Sequence, residues 1–181
     1  PRGFAVQKFT LQNVTIGADA DVVLPGGGIN KYSHRVGDFN GDLRVNGPIA
    51  SFSMAPGDFA GRMFVDDILR GTFGGPVTGD ITFQADMFGT VSFAKGMGAG
   101  SSLTFNGDLA GRVLSSGVFG GSATVLGDFT GFLGSTKTPN GPSTLFLSSG
   151  STINGFVSRL PGRYVNVTGE DLLFGGAFTA I

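Results

Sequence analysis

The feature that most restricts this chain is a period of two that keeps one parity over very long runs. Every odd position from Phe59 to Phe93 is apolar or glycine except Asp67, and the even positions between them are mostly Asp, Arg, Thr, Ser and Gln. The same parity returns from Leu103 to Leu133, with Ser115 as the exception, and a shorter stretch from Phe39 to Ile49 obeys it too. Side chains alternate between two faces in a β-strand, whereas a helix needs apolar residues three and four apart, so the pattern predicts strands with one face inside. A slip of one residue would turn the whole apolar set towards water, so the connections must conserve parity.

A pentapeptide recurs on top of the alternation, at Gly37-Asp38-Phe39-Asn40-Gly41, Gly57-Asp58-Phe59-Ala60-Gly61, Gly107-Asp108-Leu109-Ala110-Gly111 and Gly127-Asp128-Phe129-Thr130-Gly131. Two pairs of these are 20 residues apart, and degenerate copies at Gly47-Pro48-Ile49, Gly71-Thr72-Phe73-Gly74-Gly75, Gly79-Asp80-Ile81 and Gly117-Val118-Phe119-Gly120-Gly121 point to a half-unit near ten. Repetition at this period is a solenoid signature. The runs GDFNGDLRVNGPI, LTFNGDLAGRV and VFGGSATVLGDFTGFLG resemble the GDLxG-type repeats of large bacterial surface and secreted proteins, and more distantly the bactofilin repeat. The resemblance covers about residues 36–134. It implies a parallel β-helix (β-solenoid) with a scaffold, adhesive or filament-forming role, and it brings no set of functional residues with it.

A second all-β reading stays open. Asn-Gly dipeptides at Asn40, Asn46, Asn106, Asn140 and Asn154 are strong hairpin signals, and two-residue hairpins also conserve parity. An antiparallel β-barrel with a cavity for a small apolar ligand, or a β-sandwich, fits that signal. In either fold the core is expected to be Phe39, Phe59, Phe73, Phe83, Phe93, Phe105, Phe119 and Phe129, with rings lying over glycine gaps in neighbouring strands.

The chain divides into an N-terminal cap or arm (1–35), the Gly/Phe-rich repeat region (36–134) and a C-terminal β segment (135–181) packed on the same domain. Strand candidates at the ends are Phe4 to Ile16, Thr144 to Leu147, Arg163 to Val167 and Leu172 to Ile181. Solenoid ends expose an edge, so self-association is expected through these terminal strands.

Composition removes several classes of function. Charged residues are 14% of the 181 and the formal net charge is -1, with no basic block, so no nucleic-acid partner is expected. The absence of cysteine excludes disulfides and thiolate chemistry. Apolar runs are far too short for a transmembrane helix. The chain begins at Pro1 without a leader, which reads as a processed product or a segment of a longer protein.

No catalytic, cofactor-binding or metal-binding residues are assigned. The single histidine, His34, reads as part of a solvated turn before the repeats, since it has no nucleophile and orienting partner near it in sequence. Asp66-Asp67 and Glu170-Asp171 are adjacent acids, which point to opposite faces of a strand; Asp67 carries inward parity and is expected at a turn. The repeated Asp38, Asp58, Asp80, Asp108 and Asp128 lack calcium-loop spacing and are expected at turns or loops. Asn13 and Asn166 lie in N-glycosylation acceptor triplets. The expectation is a non-catalytic, extracellular or cell-surface structural protein without cofactors: a self-assembling filament, fibre or sheath subunit or an adhesin segment, with a surface polysaccharide or the cell envelope as a partner. The ligand-binding barrel and a carbohydrate-active β-helix are the alternatives.

Overall fold

In the computed structural model, which describes residues 6–24, 26–134, 144–147, 154–160, 163–168 and 178–180, the regular secondary structure is entirely β. In chain order the strands are β1 (Val6–Gln12), β2 (Asp21–Leu24), β3 (Ile29–Arg35), β4 (Asp42–Val45), β5 (Ile49–Met54) and β6 (Arg62–Val65). Next come β7 (Arg70–Phe73), β8 (Asp80–Phe83), β9 (Thr90–Phe93), β10 (Ser102–Phe105), β11 (Arg112–Ser115) and β12 (Ser122–Val125). The last are β13 (Phe132–Gly134), β14 (Thr144–Leu147), β15 (Asn154–Leu160), β16 (Arg163–Thr168) and β17 (Phe178–Ala180).

Up to β15, odd and even strands part company. The first sheet runs β1-β3-β5-β7-β9-β11-β13-β15-β16 and the second runs β17-β14-β12-β10-β8-β6-β4-β2. Each strand pairs in parallel with the strand one turn on, and the antiparallel pair β15 with β16 is the exception. The chain is therefore a β-solenoid of about six turns, and neither the barrel nor the sandwich forms. Asn40, Asn46 and Asn106 sit at the corners between successive sides of a turn, Asn154 opens β15, and Asn140 lies outside the described residues.

Between the strands, single parallel bridges stack at the corners, linking Phe39 to Phe59, Phe59 to Val77, Val77 to Met97 and Met97 to Phe119 on one side. Met87, Leu109 and Phe129 do the same on the other. A half-turn thus presents two inward strand positions and one inward corner position, as in Leu103, Phe105 and Leu109, which are fully buried. The half-unit near ten residues follows from this geometry. Turn length varies: Met63 pairs with Ile81, 18 residues on; Ile81 with Leu103, 22 on; and Leu103 with Ala123, 20 on. From β6 to β12 the corners gain or lose residues in twos, so parity survives there.

All eight phenylalanines expected in the core are buried, and Tyr32 and Phe52 join them. Sequence parity hid Phe52, because β5 changes its facing: Ile49, Phe52 and Met54 are buried while Ala50 and Ser51 are not. Through this shift Phe52 pairs with Gly71, 19 residues on.

Most glycines do something other than make room for rings. A Cβ on Gly61 would collide with the carbonyl oxygen of Gly41, one on Gly79 with that of Gly61, and one on Gly131 with that of Gly111. These are corner positions where successive turns stack backbone on backbone, with no space for a side chain. Gly71 is the place where a glycine opens space beside a ring, since its Cβ would meet Ile68 and Val91 side chains and its ladder partner is Phe52.

The N-terminal segment forms the first turn of the same solenoid: β1 pairs in register with β3 along Lys8 to Gln12 and Lys31 to Arg35. His34 lies in β3 and is 1% exposed, so the reading of a solvated turn is corrected. Its Nε2–H donates to the Val14 carbonyl at 2.7 Å, and its ring packs edge-on to Phe39. It is held by the neighbouring corner and by the core.

Candidate functional surface

The repeated aspartates are corner residues that fasten one turn to the next. The Asp38 carboxylate accepts the backbone N–H of Asp58 at 2.9 Å, Asp86 accepts that of Asp108 at 2.9 Å, and Asp108 accepts that of Asp128 at 2.8 Å. A backbone N–H in front of each carboxylate offsets part of the cost of stacking like charges about 4.8 Å apart. Asp86 belongs to this ladder although it falls outside the pentapeptides. Asp80 departs from the expectation, because it opens β8 and accepts the Ser102 hydroxyl at 2.6 Å. Among the described residues no three metal-ligating side chains gather.

Asp67 stands at the corner before Ile68 and is buried, while Asp66 is not. Burial pushes its carboxyl above the ordinary range, against the backbone N–H groups of Ile68, Gly89 and Phe88, which favour the charged form. Its Oδ1 has no hydrogen-bond partner. Glu170 and Asp171 lie outside the described residues.

A charge clamp that residue order does not single out sits on the second sheet. Arg62 grips both Asp42 oxygens, Nε to Oδ1 at 2.7 Å and Nη2 to Oδ2 at 2.8 Å, and Arg44 adds a bond to Oδ2 at 2.9 Å. Arg44 also lies over the Phe64 ring, 4.4 Å from its centre. Burial alone would raise the Asp42 carboxyl, but the hydrogen bonds and charges of Arg62 and Arg44 outweigh it and hold it below the ordinary carboxylate range.

The two carboxylates pull stability in opposite directions with pH. Asp42, lowered in the folded state, contributes stability above its unfolded pKa that disappears as pH falls through its folded pKa. Asp67, raised, favours folding below its unfolded pKa, and that contribution disappears as pH rises through its folded pKa. Urea midpoints followed from acid to neutral pH are therefore expected to lose part of their acid sensitivity in Asp42→Asn. Asp67→Asn is expected to remove a decline on the approach to neutrality. Parallel profiles for both variants and the parent chain would contradict these assignments.

The outer face of the first sheet is different in kind. Its nine strands contain no Asp or Glu. Cross-strand register places Lys8 beside Lys31, Lys31 beside Ser51, Arg70 beside Thr90 and Thr90 beside Arg112 in one column. Two residues along, Thr10, Ser53, Thr72 and Ser92 carry hydroxyls in one column, with Ser33 of the same column buried. Where short side chains surround Arg70, the face is hollowed into a depression of about 470 Å³ lined by Ser51, Ser53, Arg70, Thr72, Thr90 and Ser92.

No family model, curated protein or solved structure matches the chain. What the fold itself defines is a class: a parallel two-sheet β-solenoid whose corners are closed by glycine and aspartate ladders. No helix among the described residues is long and apolar enough to cross a membrane.

Proposed function

We propose that this chain is a non-catalytic structural protein of the cell exterior, a β-solenoid subunit or segment that extends by self-association. The observation that carries the reading is the pairing at the N-terminal end: among the described residues β1 and β2 stand at the edges of their sheets, pairing with β3 and β4 respectively. Such an edge offers unpaired N–H and C=O groups as a template for another strand. The apolar stack from Leu24 and Ile29 to Leu133 gives each turn a dry contact with the next, which suits a rod that bears load along its length. Asn13, one of the two acceptor triplets, is exposed and open to modification in a secretory setting.

Electron microscopy and sedimentation of the purified chain test this. The expected result is concentration-dependent filaments with a repeat of about 4.8 Å along the axis. Deleting residues 4–16 is expected to abolish assembly, with β-structure by circular dichroism retained. A monomer at every concentration, or a truncated chain that still polymerises, would overturn the reading.

A further inference from the structure

We propose that the outer face of the first sheet binds a linear acidic polysaccharide, a chain of uronate or similarly charged sugars laid along the solenoid axis. The inference rests on the exterior structural role above for where the ligand would be met. Binding itself does not depend on assembly.

Charge is the first reason. The chain as a whole is slightly acidic, yet among the described residues its acids are segregated away from this face: they stand at corners, as Asp38, Asp58 and Asp108 do, or on the second sheet, as Asp42 and Asp80 do. The ion pairs of Asp42 consume Arg44 and Arg62 on the second sheet. No carboxylate on the first sheet competes for Lys31, Arg70 or Arg112, so an anionic partner meets a face of one sign.

Spacing is the second. Adjacent strands lie about 4.8 Å apart, so Lys31, Arg70 and Arg112, each two turns from the next, repeat at about 9.6 Å. That is the scale of a disaccharide in an extended glycan. A nucleic-acid strand carries a charge roughly every 3.4 Å, far denser than these cations; one ring, Phe132, stands beside Arg112 with the guanidinium 5.7 Å from its centre, while the strands around Arg70 present hydroxyls where a run of stacked bases would need rings.

The hydroxyls are the third. Ser53, Thr72 and Ser92 follow one another on consecutive strands, each able to donate and accept, and they border the depression around Arg70. Sugar hydroxyls need that combination, while the Arg70 guanidinium can take a carboxylate through two parallel bonds. A flat, rigid sheet holds the array without ordering cost at the moment of binding.

The test uses the full chain and immobilised polygalacturonate, with a neutral glucan, duplex DNA and anionic phospholipid vesicles as comparisons. Retention on polygalacturonate that weakens with salt is expected, with no retention on the neutral glucan and at least tenfold weaker binding to DNA and vesicles. Arg70→Ser combined with Arg112→Ser is expected to cut affinity at least tenfold, and Ser53→Ala with Thr72→Ala and Ser92→Ala several-fold without changing the salt dependence. Lys95→Ser removes an exposed cation at a corner and is expected to change nothing. Unchanged thermal midpoints show that the variants remain folded. Absence of retention at low salt, equal binding to DNA or vesicles, or an equal loss in Lys95→Ser would each overturn the proposal, whether or not the chain forms filaments.

Discussion

Replacing Gly61 with alanine is expected to destabilise the solenoid by about 3 kcal/mol or more, beyond the usual cost of overpacking. The added methyl has nowhere to go. It would sit on the Gly41 carbonyl oxygen and 2.8 Å from the Asn40 carbonyl carbon, and both belong to the backbone of the preceding turn. A side chain could swing aside, but these atoms are tied into the stack: Arg62 N–H donates to that same Gly41 oxygen, and Gly61 N–H donates to Phe39. Relief therefore requires two turns to separate. Gly17→Ala is the matched control, because nothing lies within 4 Å of its Cβ position, and it is expected to be neutral. Urea denaturation of the two variants provides the comparison; equal stability would mean that the corner glycines are not close-approach positions.

Phe73→Ala is expected to cost about 3–5 kcal/mol, the range for a buried aromatic truncated to a methyl. Phe73 is the junction of the aromatic core. Its ring centre lies 4.7 Å from that of Phe52, 5.1 Å from Phe93 and 5.5 Å from Phe59, the last in an edge-to-face contact. Tyr32 and Phe9 extend the same stack towards the N-terminus. The neighbouring Gly71 supplies no side chain that could swing into the hole, so the cavity would persist. Phe73→Leu keeps much of the volume and is expected to lose distinctly less. A loss below about 1 kcal/mol for Phe73→Ala would show that the stack collapses to fill the gap.

Much of this was legible from residue order. Alternation fixes strands and inward faces locally, so Phe83, Phe93, Phe105 and Phe129 were identifiable as core before any topology was known. The parallel arrangement rested on the spacing of the pentapeptides and the repeat resemblance they carry, since a hairpin at Asn106-Gly107 would conserve the same parity. The roles of glycine and aspartate were harder to see because they are contacts between residues about 20 apart, made at corners and through the backbone. A glycine at inward parity looks like a gap under a ring until the next turn's carbonyl is found there. His34 was misplaced because a basic, polar pentapeptide reads as surface, whereas β3 turns its imidazole onto Phe39 and the Val14 carbonyl. The basic face was invisible for a related reason. Acids and cations are interspersed along the chain, and they separate only when alternate strands are dealt to opposite sheets.

The central claim is the stacking of each strand on the one a full turn later, and the absence of native cysteine allows it to be tested by cross-linking. Thr104 and Thr124 are register partners on β10 and β12, with Thr82 one turn before on β8. Neighbouring strands put Cα atoms about 4.8 Å apart, within the span a disulfide bridges, and a two-turn separation of about 9.6 Å exceeds it. In the chain carrying Thr104→Cys and Thr124→Cys, mild oxidation is expected to close an intramolecular disulfide in the folded state. With Thr82→Cys and Thr124→Cys both thiols are expected to remain free. A folded chain in which the first pair stays reduced, or the second pair closes, would contradict the solenoid.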